Sequence, residues 1–595
     1  MRRRFAFRRC CSLSVFAVGL AGWASPALAD NPIVQHVYTA DPAPMAYGDS
    51  VYLCTSHDED VTVDNFFTMN DWRVFSSKDM VNWTDHGSPA SYKTFSWAKG
   101  KAWAPQCVAR NGKFYLYVPV SDAIGVAVAD SPTGPFKDAI GKPLLSDYRY
   151  IDPTVFIDSD DQAYLYFGNP SLWYVKLNAD MISFSGQVQA VPMTSQSFGT
   201  RNDGSTRPTL YEEGPWFYKR NDLYYMMFAA GPLPENIAYS TSSAPTGPWT
   251  YKSTIMQNSS GHAFTNHSGI VDFKGHSYFF YHSQELPGGG GYKRSVALEE
   301  FSYGADGSIP KITKTKEGPK AAANLNPYLR VEGETIAWTG GVEVEDCSAG
   351  GRDITSLENN DYVKVKSVDF GTGPLSFKAS VASAGAGGSI ELHLDSMTGQ
   401  QLGTCTVAAT GGAQMWKTVS CDVKTTTNVH DLFLVFKGGS GALFNLDWWQ
   451  FTPQDPLPSG SGGSGGGGAS SSGGSVGSVA GTGGTIVGGT GGSLSSSAGA
   501  ATGGTAQTGG RSATDGGAAN GGSSGGTVAK GGQPGNGGSP AGAGDNGSSS
   551  TSEPSCTCTA VPTKERAPLG WLSLLALVVG GRSISSARRR QRARK

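Results

Sequence analysis

The sequence predicts an all-β protein, a five-bladed β-propeller followed by a small β-sandwich (jelly-roll) module. Between residues 30 and 320, short alternating or aromatic runs follow turn residues five times, about every fifty to sixty residues. No long stretch of this region has the 3.6-residue apolar period of an amphipathic helix. A turn-plus-strand unit repeated at this spacing is typical of a propeller. A sandwich or barrel with regular turns is the alternative.

Each of the five units carries a strand tyrosine that sets a common register. These tyrosines are Tyr52, Tyr115, Tyr164, Tyr224 and Tyr278. Eleven residues earlier stand, in the same order, Asp41, Ala104, Pro153, Glu213 and His267. One extra residue in the turn of the third unit brings Asp152 into register in place of Pro153. Since equivalent positions of propeller blades lie equally far from the axis, three carboxylates and one imidazole are expected to meet there.

Three carboxylates in one funnel indicate cleavage of glycosidic bonds. A protonated carboxyl donates to the leaving oxygen, while an ionised carboxylate activates water or attacks carbon. A third carboxylate nearby raises the pKa of the acid because like charges disfavour ionisation. Asp41, Asp152 and Glu213 supply this set, although any single Asp–Pro pair is equally typical of a turn or a strand cap.

Four segments carry a family resemblance. The motifs NPIVQHVYTADPAP, YIDPTVFID, YEEGPWFYKRND and KRSVALEEF span residues 31–309, which resemble glycoside hydrolase family 43. The resemblance implies a five-bladed propeller and inversion of the anomeric carbon. It implies that Asp41 is the general base, Asp152 the pKa modulator and Glu213 the general acid. Glu212 then points away, because neighbouring strand residues face opposite sides.

The resemblance also implies substrate-binding residues around the three acids. Arg294 is similar to a sugar-binding arginine, with a surface ion pair as the alternative. His267 is similar to an axial histidine near a calcium ion or its water shell, with a purely structural histidine as the alternative. Trp103 and Trp216 are expected to stack on sugar rings, and core packing is the competing interpretation for both.

Residues 340–453 form a second domain of alternating strands and Gly-rich turns, and they resemble a family 6 carbohydrate-binding module. The resemblance implies a structural calcium ion held by Glu343, Glu345 and Asp447, whose oxygens suit that ion. An exposed charged strand face is the alternative. Trp416 and Asn445 match sugar-binding positions of the module. Ser356 replaces one of the two cleft aromatics. Weak sugar binding, binding at another face near Tyr362 and a mainly structural role are therefore all open.

The two ends of the chain predict export and surface attachment. Residues 1–29 read as a signal peptide, with a basic start, an apolar stretch and the small-residue site PALA. Residues 454–555 are a Gly/Ser-rich segment predicted to be a disordered linker. Residues 556–595 resemble a MYXO-CTERM sorting tail, with a marginal membrane anchor as the alternative. The protein is therefore expected to be extracellular and anchored to the cell surface.

Composition narrows the class of partner. The formal net charge of -2 includes basic runs at both ends, so the folded region is modestly acidic, which argues against nucleic acid and favours a neutral polysaccharide. The folded part is expected to be a monomer. Export allows oxidation of cysteines, and Cys405 with Cys421 is the best candidate pair. Cys54, Cys107 and Cys347 have no pairing that the sequence supports.

The predicted function is an inverting glycoside hydrolase that releases a pentose, α-L-arabinofuranose or β-xylose, from an arabinoxylan-type polysaccharide. Other activities of the same family, on arabinan or galactan, are alternatives. A non-catalytic surface adhesin that binds polysaccharide is a further alternative, of a different class.

Overall fold

The computed structural model describes residues 31–454. The predicted signal peptide, most of the linker and the sorting tail lie outside the described residues. Within residues 31–454 the only α-helix is α1 (Ser195–Phe198), and one 3₁₀ turn covers Tyr92–Thr94. No helix in this range is long and apolar enough to span a membrane. The remaining regular structure is β-strand, as predicted.

Five antiparallel sheets follow one another along the first part of the chain. The first contains β1 (Thr39–Tyr47), β2 (Ser50–His57), β3 (Asp71–Ser77), β4 (Trp83–Asp85) and β5 (Ala90–Ser91). The second contains β6 (Gln106–Arg110), β7 (Lys113–Val120), β8 (Ala123–Ala129), β9 (Lys137–Asp138) and β10 (Leu145–Ser146). The third contains β11 (Thr154–Ile157), β12 (Ala163–Phe167), β13 (Trp173–Leu177) and β14 (Phe184–Ala190). The fourth contains β15 (Tyr211–Arg220), β16 (Leu223–Ala230), β17 (Asn236–Ser242) and β18 (Thr250–Met256), and the fifth contains β19 (Gly269–Phe273), β20 (His276–Ser283) and β21 (Ser295–Phe301).

The first strands of these sheets lie next to one another. β1 contacts β6, β6 contacts β11, β11 contacts β15, and β19 of the last sheet returns to β1. Tight hairpins follow the first strands, as the sequence repeat predicts. The turn between β6 and β7, for example, is Asn111–Gly112, with φ of 52° and 72°. Two positive φ values in a two-residue turn match the right-handed twist of the flanking strands. The repeat therefore places the starts of the inner strands at one end of the ring.

Residues 331–453 form a two-sheet sandwich. One sheet has the order β25 (Glu343–Asp346), β26 (Arg352–Thr355), β33 (Asn445–Pro453), β28 (Pro374–Ala382) and β31 (Lys417–Asp422), with β22 (Val331–Glu332) on β33. The other has the order β24 (Trp338–Gly340), β27 (Tyr362–Asp369), β32 (Val429–Lys437), β29 (Gly388–Leu394) and β30 (Gln401–Val407). Apolar side chains from both sheets, such as Phe377, Leu434 and Trp449, fill one core between them.

The segment that joins the two folds is itself structured. Its strand β23 (Thr335–Ile336) pairs with β4 of the first sheet. Asn82 and Lys366 exchange two hydrogen bonds, of 2.9 and 2.8 Å, between the Asn82 side chain and the Lys366 backbone. The sandwich is therefore attached to the first sheet by backbone pairing as well as by side chains.

Two disulfides join strands. Cys405–Cys421, predicted from the sequence, links β30 to β31 and so connects the two sheets of the sandwich. Cys54–Cys107, which the sequence did not reveal, links β2 of the first sheet to β6 of the second. Cys347 is buried and unpaired in the described residues.

Candidate active site

The inner strands begin with unusual backbone geometry around a narrow axial cavity. Asp41 and Asp152 both have a φ of 54°, and Gly214, next to Glu213, has a φ of 57°. A proline follows each of the three, so each strand turns sharply before it enters its sheet. The cavity is lined by residues from all five sheets or their entry loops, among them Asp41, Ala104, Asp152, Gly214, Trp216 and His267. The sequence register correctly predicted this convergence.

Asp41 is fixed by hydrogen bonds on both carboxylate oxygens. Ser56 donates to Oδ2 at 2.6 Å, and the Arg294 guanidinium donates to Oδ1 at 3.1 Å. Its backbone N–H donates to His282 Nε2 at 2.7 Å. Burial would raise the pKa of Asp41, but Arg294 and His267 outweigh it and hold the pKa well below its usual value. Asp41 is therefore an ionised, oriented carboxylate.

Arg294 is buried and is held by a second carboxylate. Asp58 accepts from Nε of Arg294 at 2.9 Å and from Nη2 at 3.0 Å, and it also accepts from the Arg294 backbone N–H at 2.8 Å. The surface ion pair considered for Arg294 is therefore not what the structure contains. The guanidinium instead faces the axial cluster through Asp41.

His267 lies between the acidic groups. Nδ1 is 3.1 Å from Oδ1 of Asp41, and Nε2 is 3.2 Å from Oε1 of Glu213 and 3.8 Å from Oδ2 of Asp152. Burial would lower the pKa of His267, but the carboxylates of Asp152 and Asp41 outweigh it and raise the pKa well above its usual value. The imidazole is therefore charged and donates from both nitrogens, one to Asp41 and one to Glu213.

The pKa values of Glu213 and Asp152 shift in opposite directions. Asn169 donates to Oε2 of Glu213, and the Gly214 N–H donates to Oδ2 of Asp152 at 3.0 Å. Burial raises the pKa of Asp152 to about 7. For Glu213, burial also acts upward, but the hydrogen bond and charge of His267 outweigh it and lower the pKa. The pKa of Asp152 is therefore raised and that of Glu213 lowered, whereas the sequence predicted that Asp152 would raise the pKa of Glu213.

Glu212 is separated from this cluster, as strand alternation predicts. Its carboxylate is bonded to Arg201 and Arg207 of the loop before β15. Gly231 makes the approach possible, because a Cβ there would lie 1.9 Å from Oε1 of Glu212. Glu212 therefore anchors a neighbouring loop, and Glu213 is the glutamate at the axis.

The predicted aromatic positions separate into two groups. Trp216 lines the axial cavity, although only 8% of it is exposed and it also packs in the hydrophobic core. Trp103 does not line the cavity; its ring faces the Lys101 ammonium, with Nζ 5.5 Å from the ring centroid. Its carbonyl accepts from the indole N–H of Trp72 at 2.6 Å. Of the two, Trp216 is the one that lines the axial cavity.

Two groups in the described chain have donor atoms close enough to hold one metal ion. Asp152, Glu213 and His267 form one, and His57, Glu59 and Asp71 form the other, with all donor atoms within 4.8 Å in each. The first group includes the axial histidine for which the sequence predicted a nearby calcium ion.

The metal set predicted in the sandwich, Glu343, Glu345 and Asp447, stays a prediction. These residues are not among the groups that meet this spacing within residues 31–454. Oε1 of Glu345 accepts from Gln414 at 3.0 Å and from Asn445 at 2.8 Å, so its ligand atom is already engaged.

Asp447 also interacts electrostatically with an earlier Glu-x-Glu pair, Glu332 and Glu334. Arg330 donates to Glu332 at 2.7 Å and to Asp447 at 3.2 Å. Oε2 of Glu334 is buried without a hydrogen-bond partner, and burial raises the pKa of Glu334 to about 9. An orphaned carboxylate oxygen among other acids fits a cation with oxygen ligands, such as calcium. The sequence contained this signal, but the later pair, Glu343 and Glu345, has the same spacing.

The predicted sugar-binding residues of the sandwich lie around one polar cluster. Asn445 donates to Glu345 at 2.8 Å and to Asp353 at 3.0 Å. Gln414, two residues before Trp416, donates to the same two carboxylates. The indole N–H of Trp416 donates to Ser348 at 3.1 Å. Ser356 is exposed, and no aromatic ring occupies that position.

Several residues of the axial site were not found from the sequence. Asn169, Asp58, His282 and Glu235 all contact the predicted residues or their carrier loops. They lie at strand ends or in loops outside the eleven-residue register. Only the polar residues at the start of an inner strand repeat at a fixed spacing, so the sequence predicted only those.

Comparisons with known proteins match both folds. Residues 29–309 match the model of glycosyl hydrolases family 43, and residues 332–453 match the carbohydrate binding module of family 6. An arabinoxylan arabinofuranohydrolase of Bacillus subtilis is 36% identical over 71% of this chain and 92% of its own. One from Paenibacillus polymyxa is 35% identical over 71% of this chain and 74% of its own.

A solved structure agrees with this assignment. The crystal structure of the Bacillus subtilis family 43 arabinoxylan arabinofuranohydrolase with cellotetraose is 34% identical, with a TM-score of 0.63. The match covers 71% of this chain and 97% of the solved one. The fold, the axial carboxylates and these similarities together establish that the chain belongs to glycosyl hydrolase family 43.

Proposed function

We propose that this protein is an inverting glycoside hydrolase that releases α-L-arabinofuranose side chains from arabinoxylan. The observation that carries the proposal is the placement of Asp41 and Glu213 on opposite sides of one imidazole ring. Inverting enzymes need about 6.5–9.5 Å between the two carboxyls so that a water fits beside the sugar. The names of the two relatives that match both domains support arabinose over xylose as the released sugar.

In the proposed mechanism Asp41 is the general base. Arg294 and Ser56 keep it ionised and oriented, so it accepts a proton from the water that attacks the anomeric carbon. Glu213 is the general acid and protonates the leaving oxygen of the polymer. It lies in a buried cluster in which the pKa of Asp152 is raised to about 7 and that of His267 is raised well above its usual value, with His267 Nε2 3.2 Å from Oε1 of Glu213. Asp152 acts as the pKa modulator beside Glu213.

The sandwich supports a polymeric substrate. Trp416 and Asn445 are its candidate sugar contacts, and Ser356 in place of an aromatic weakens the expected affinity. Glu332, Glu334 and Asp447 would hold a calcium ion, which would neutralise their charge and stiffen the junction. A calcium ion near His267 remains part of the proposal, because donor atoms of Asp152, Glu213 and His267 all lie within 4.8 Å of one another.

Export and anchoring complete the proposal. The protein is secreted through residues 1–29 and held at the cell surface by its tail, so that it acts as a monomer on plant polysaccharide outside the cell. Detection of the protein on intact cells by a protease-accessible epitope tests this location. Protection from protease would contradict it.

The catalytic proposal is tested with nitrophenyl arabinofuranoside, nitrophenyl xyloside and insoluble arabinoxylan. Arabinose release from the polymer is expected, with the inverted anomer appearing first by NMR. Asp41→Asn should lose activity on every substrate. Glu213→Gln should lose about 10²–10⁴-fold on arabinoxylan and less on the nitrophenyl sugar, whose leaving group needs little protonation. Polymer binding with no sugar release would favour the adhesin, and an initial product with the anomeric configuration of the substrate would contradict inversion.

A further inference from the structure

A short turn, Phe264–His267, carries the imidazole that bridges the proposed base and acid. One residue, Ser268, separates it from β19, and Nε2 of His267 lies 3.2 Å from Oε1 of Glu213. The Thr265 carbonyl accepts from His282 Nδ1 at 2.9 Å, and the Asn266 side-chain oxygen accepts from the His282 backbone N–H at 3.0 Å. Whatever fixes this turn therefore fixes the position of His267.

Glu235 holds the turn from the side of the fourth sheet. Its backbone N–H donates to the Phe264 carbonyl at 2.8 Å, and its Oε2 accepts from the Asn266 N–H at 2.8 Å. Only 2% of Glu235 is exposed. Burial, and then the nearby Glu213, keep the pKa of Glu235 well above its usual value, so the carboxyl is neutral. A neutral carboxyl accepts the Asn266 N–H without adding a charge to the acidic cluster.

His282 holds the same turn from the fifth sheet and extends the contact to the base. Because Nε2 accepts the Asp41 N–H at 2.7 Å, Nδ1 carries the proton that is donated to Thr265. His282 is fully buried, and burial lowers its pKa, so it stays neutral in this arrangement. The hydrogen bond that Nε2 accepts comes from the backbone N–H of Asp41, which has a φ of 54° at the start of the inner strand.

We propose that Glu235 and His282 are positioning residues that clamp the Phe264–His267 turn between them and so set where His267 meets Asp41 and Glu213. Glu235 acts through the turn, whereas His282 also borders the base directly, with Nε2 3.2 Å from Oδ1 of Asp41. Their contribution is geometric: a displacement of about 1 Å at a catalytic group costs on the order of 10²-fold in rate. The inference rests on the proposed function, because catalysis is one of its readouts.

The test compares two replacements of equal size at Glu235. Glu235→Gln keeps an oxygen that accepts the Asn266 N–H and is neutral, whereas Glu235→Met fills the same space without an acceptor. Glu235→Gln should retain kcat within about threefold, and Glu235→Met should lower it about 100-fold with little change in KM. Glu300→Met is the matched control, since Glu300 is bonded to His276 at the opposite end of β20.

A double-mutant cycle examines the shared turn. His282→Leu should lower kcat in the same way, and the double variant Glu235→Met/His282→Leu should lose much less than the product of the two single losses, because both act through one turn. A loss of kcat in the double variant equal to the product of the two single losses would overturn the proposed clamp. Wild-type kcat in Glu235→Met, or equal losses in the Met and Gln variants, would also overturn it.

A readout independent of activity separates this inference from the proposed function. The imidazole nitrogen signals of His267, assigned with a His267→Gln variant, are measured by NMR in wild type, Glu235→Gln and Glu235→Met. They should shift only in Glu235→Met; unchanged signals there would overturn the clamp. If the wild-type protein releases no pentose, the proposed function fails while the NMR result still decides the clamp.

Discussion

At the scale of single residues, the axial site depends on backbone positions that only some side chains tolerate. Gly214 has a φ of 57°, and a Cβ added there would lie 2.7 Å from Cδ2 of His267. The glycine is therefore required for two separate reasons, its backbone conformation and the closeness of the imidazole. A comparison with a glycine that meets only the first requirement separates them.

Gly214→Ala is expected to lower kcat about 100-fold because the new methyl group displaces His267. Gly48→Ala is the matched control, since Gly48 has a φ of 63° and an added Cβ there meets no atom within 4 Å. Both variants should lose about 1–2 kcal/mol of stability from backbone strain. Kinetics on a nitrophenyl pentoside and thermal unfolding measure the two effects. Equal activity of the two variants would show that the contact with His267 is unimportant.

Arg294 also permits a prediction about pH. The base acts when Asp41 is ionised, and the Arg294 guanidinium lowers the pKa of Asp41. Arg294→Gln removes that positive charge, so the pKa of Asp41 should rise and the acidic limb of kcat/KM should move to higher pH. Arg330→Gln, on the sandwich, should leave the limb in place. An unmoved acidic limb in a folded Arg294→Gln variant would show that Asp41 does not determine it.

The sequence predicted those residues whose position the repeat fixes. Asp41, Asp152, Glu213 and His267 lie at or just before the starts of inner strands, so one register, with one extra residue allowed for Asp152, located all four. Glu235 and His282 act through a turn that belongs to no repeat, and no spacing relates them to Asp41. In the sandwich, Glu332–Gly333–Glu334 and Glu343–Val344–Glu345 have the same pattern. Gly333 of the first pair lets the chain approach the backbone of β33, where a Cβ would lie 2.4 Å from the Leu446 carbonyl, and spacing alone does not show this contact.

At the scale of elements, neighbouring sheets of the first domain are joined covalently as well as by packing. Cys54 and Cys107 connect β2 to β6 across 53 residues, and both are buried. The sequence showed the alternation that defines each strand. It did not show which strands of different sheets lie side by side, and so it did not show this pair.

The Cys54→Ala/Cys107→Ala variant is expected to lose about 2–5 kcal/mol of unfolding free energy, because a long loop is released in the unfolded chain. Guanidinium denaturation followed by tryptophan fluorescence measures the loss. The Cys405–Cys421 disulfide closes a shorter loop, with a sequence separation of 16 residues. The Cys405→Ala/Cys421→Ala variant should therefore lose less unfolding free energy. An unchanged midpoint in the first variant would indicate that the two cysteines are not joined in the mature protein.

At the scale of the whole described molecule, the catalytic fold and the sandwich are continuous. Strand β23 lies between β22 and β24 of the sandwich along the chain, yet it pairs with β4 of the first sheet. Thr84 and Thr335 are bonded at 2.8 Å, and the Asp85 N–H donates to the Glu334 carbonyl at 3.4 Å. The segment between the two predicted domains thus adds an edge strand to the first sheet, and the matched module begins at residue 332.

This junction predicts joint unfolding of the two domains. Asn82 is 3% exposed, and its side chain makes two hydrogen bonds to the Lys366 backbone. Asn82→Ala leaves a buried N–H and carbonyl without partners, which costs about 1–3 kcal/mol for each group.

Calorimetry should show one transition for the wild-type folded region and a lower or divided transition for Asn82→Ala. Asn359→Ala, which removes an exposed hydrogen bond at 3.2 Å to Gly438, is the control and should leave one transition unchanged. Two separate transitions in the wild type would mean that the domains are joined only by the chain, and the sandwich would then bind polymer without constraining how the active site approaches it.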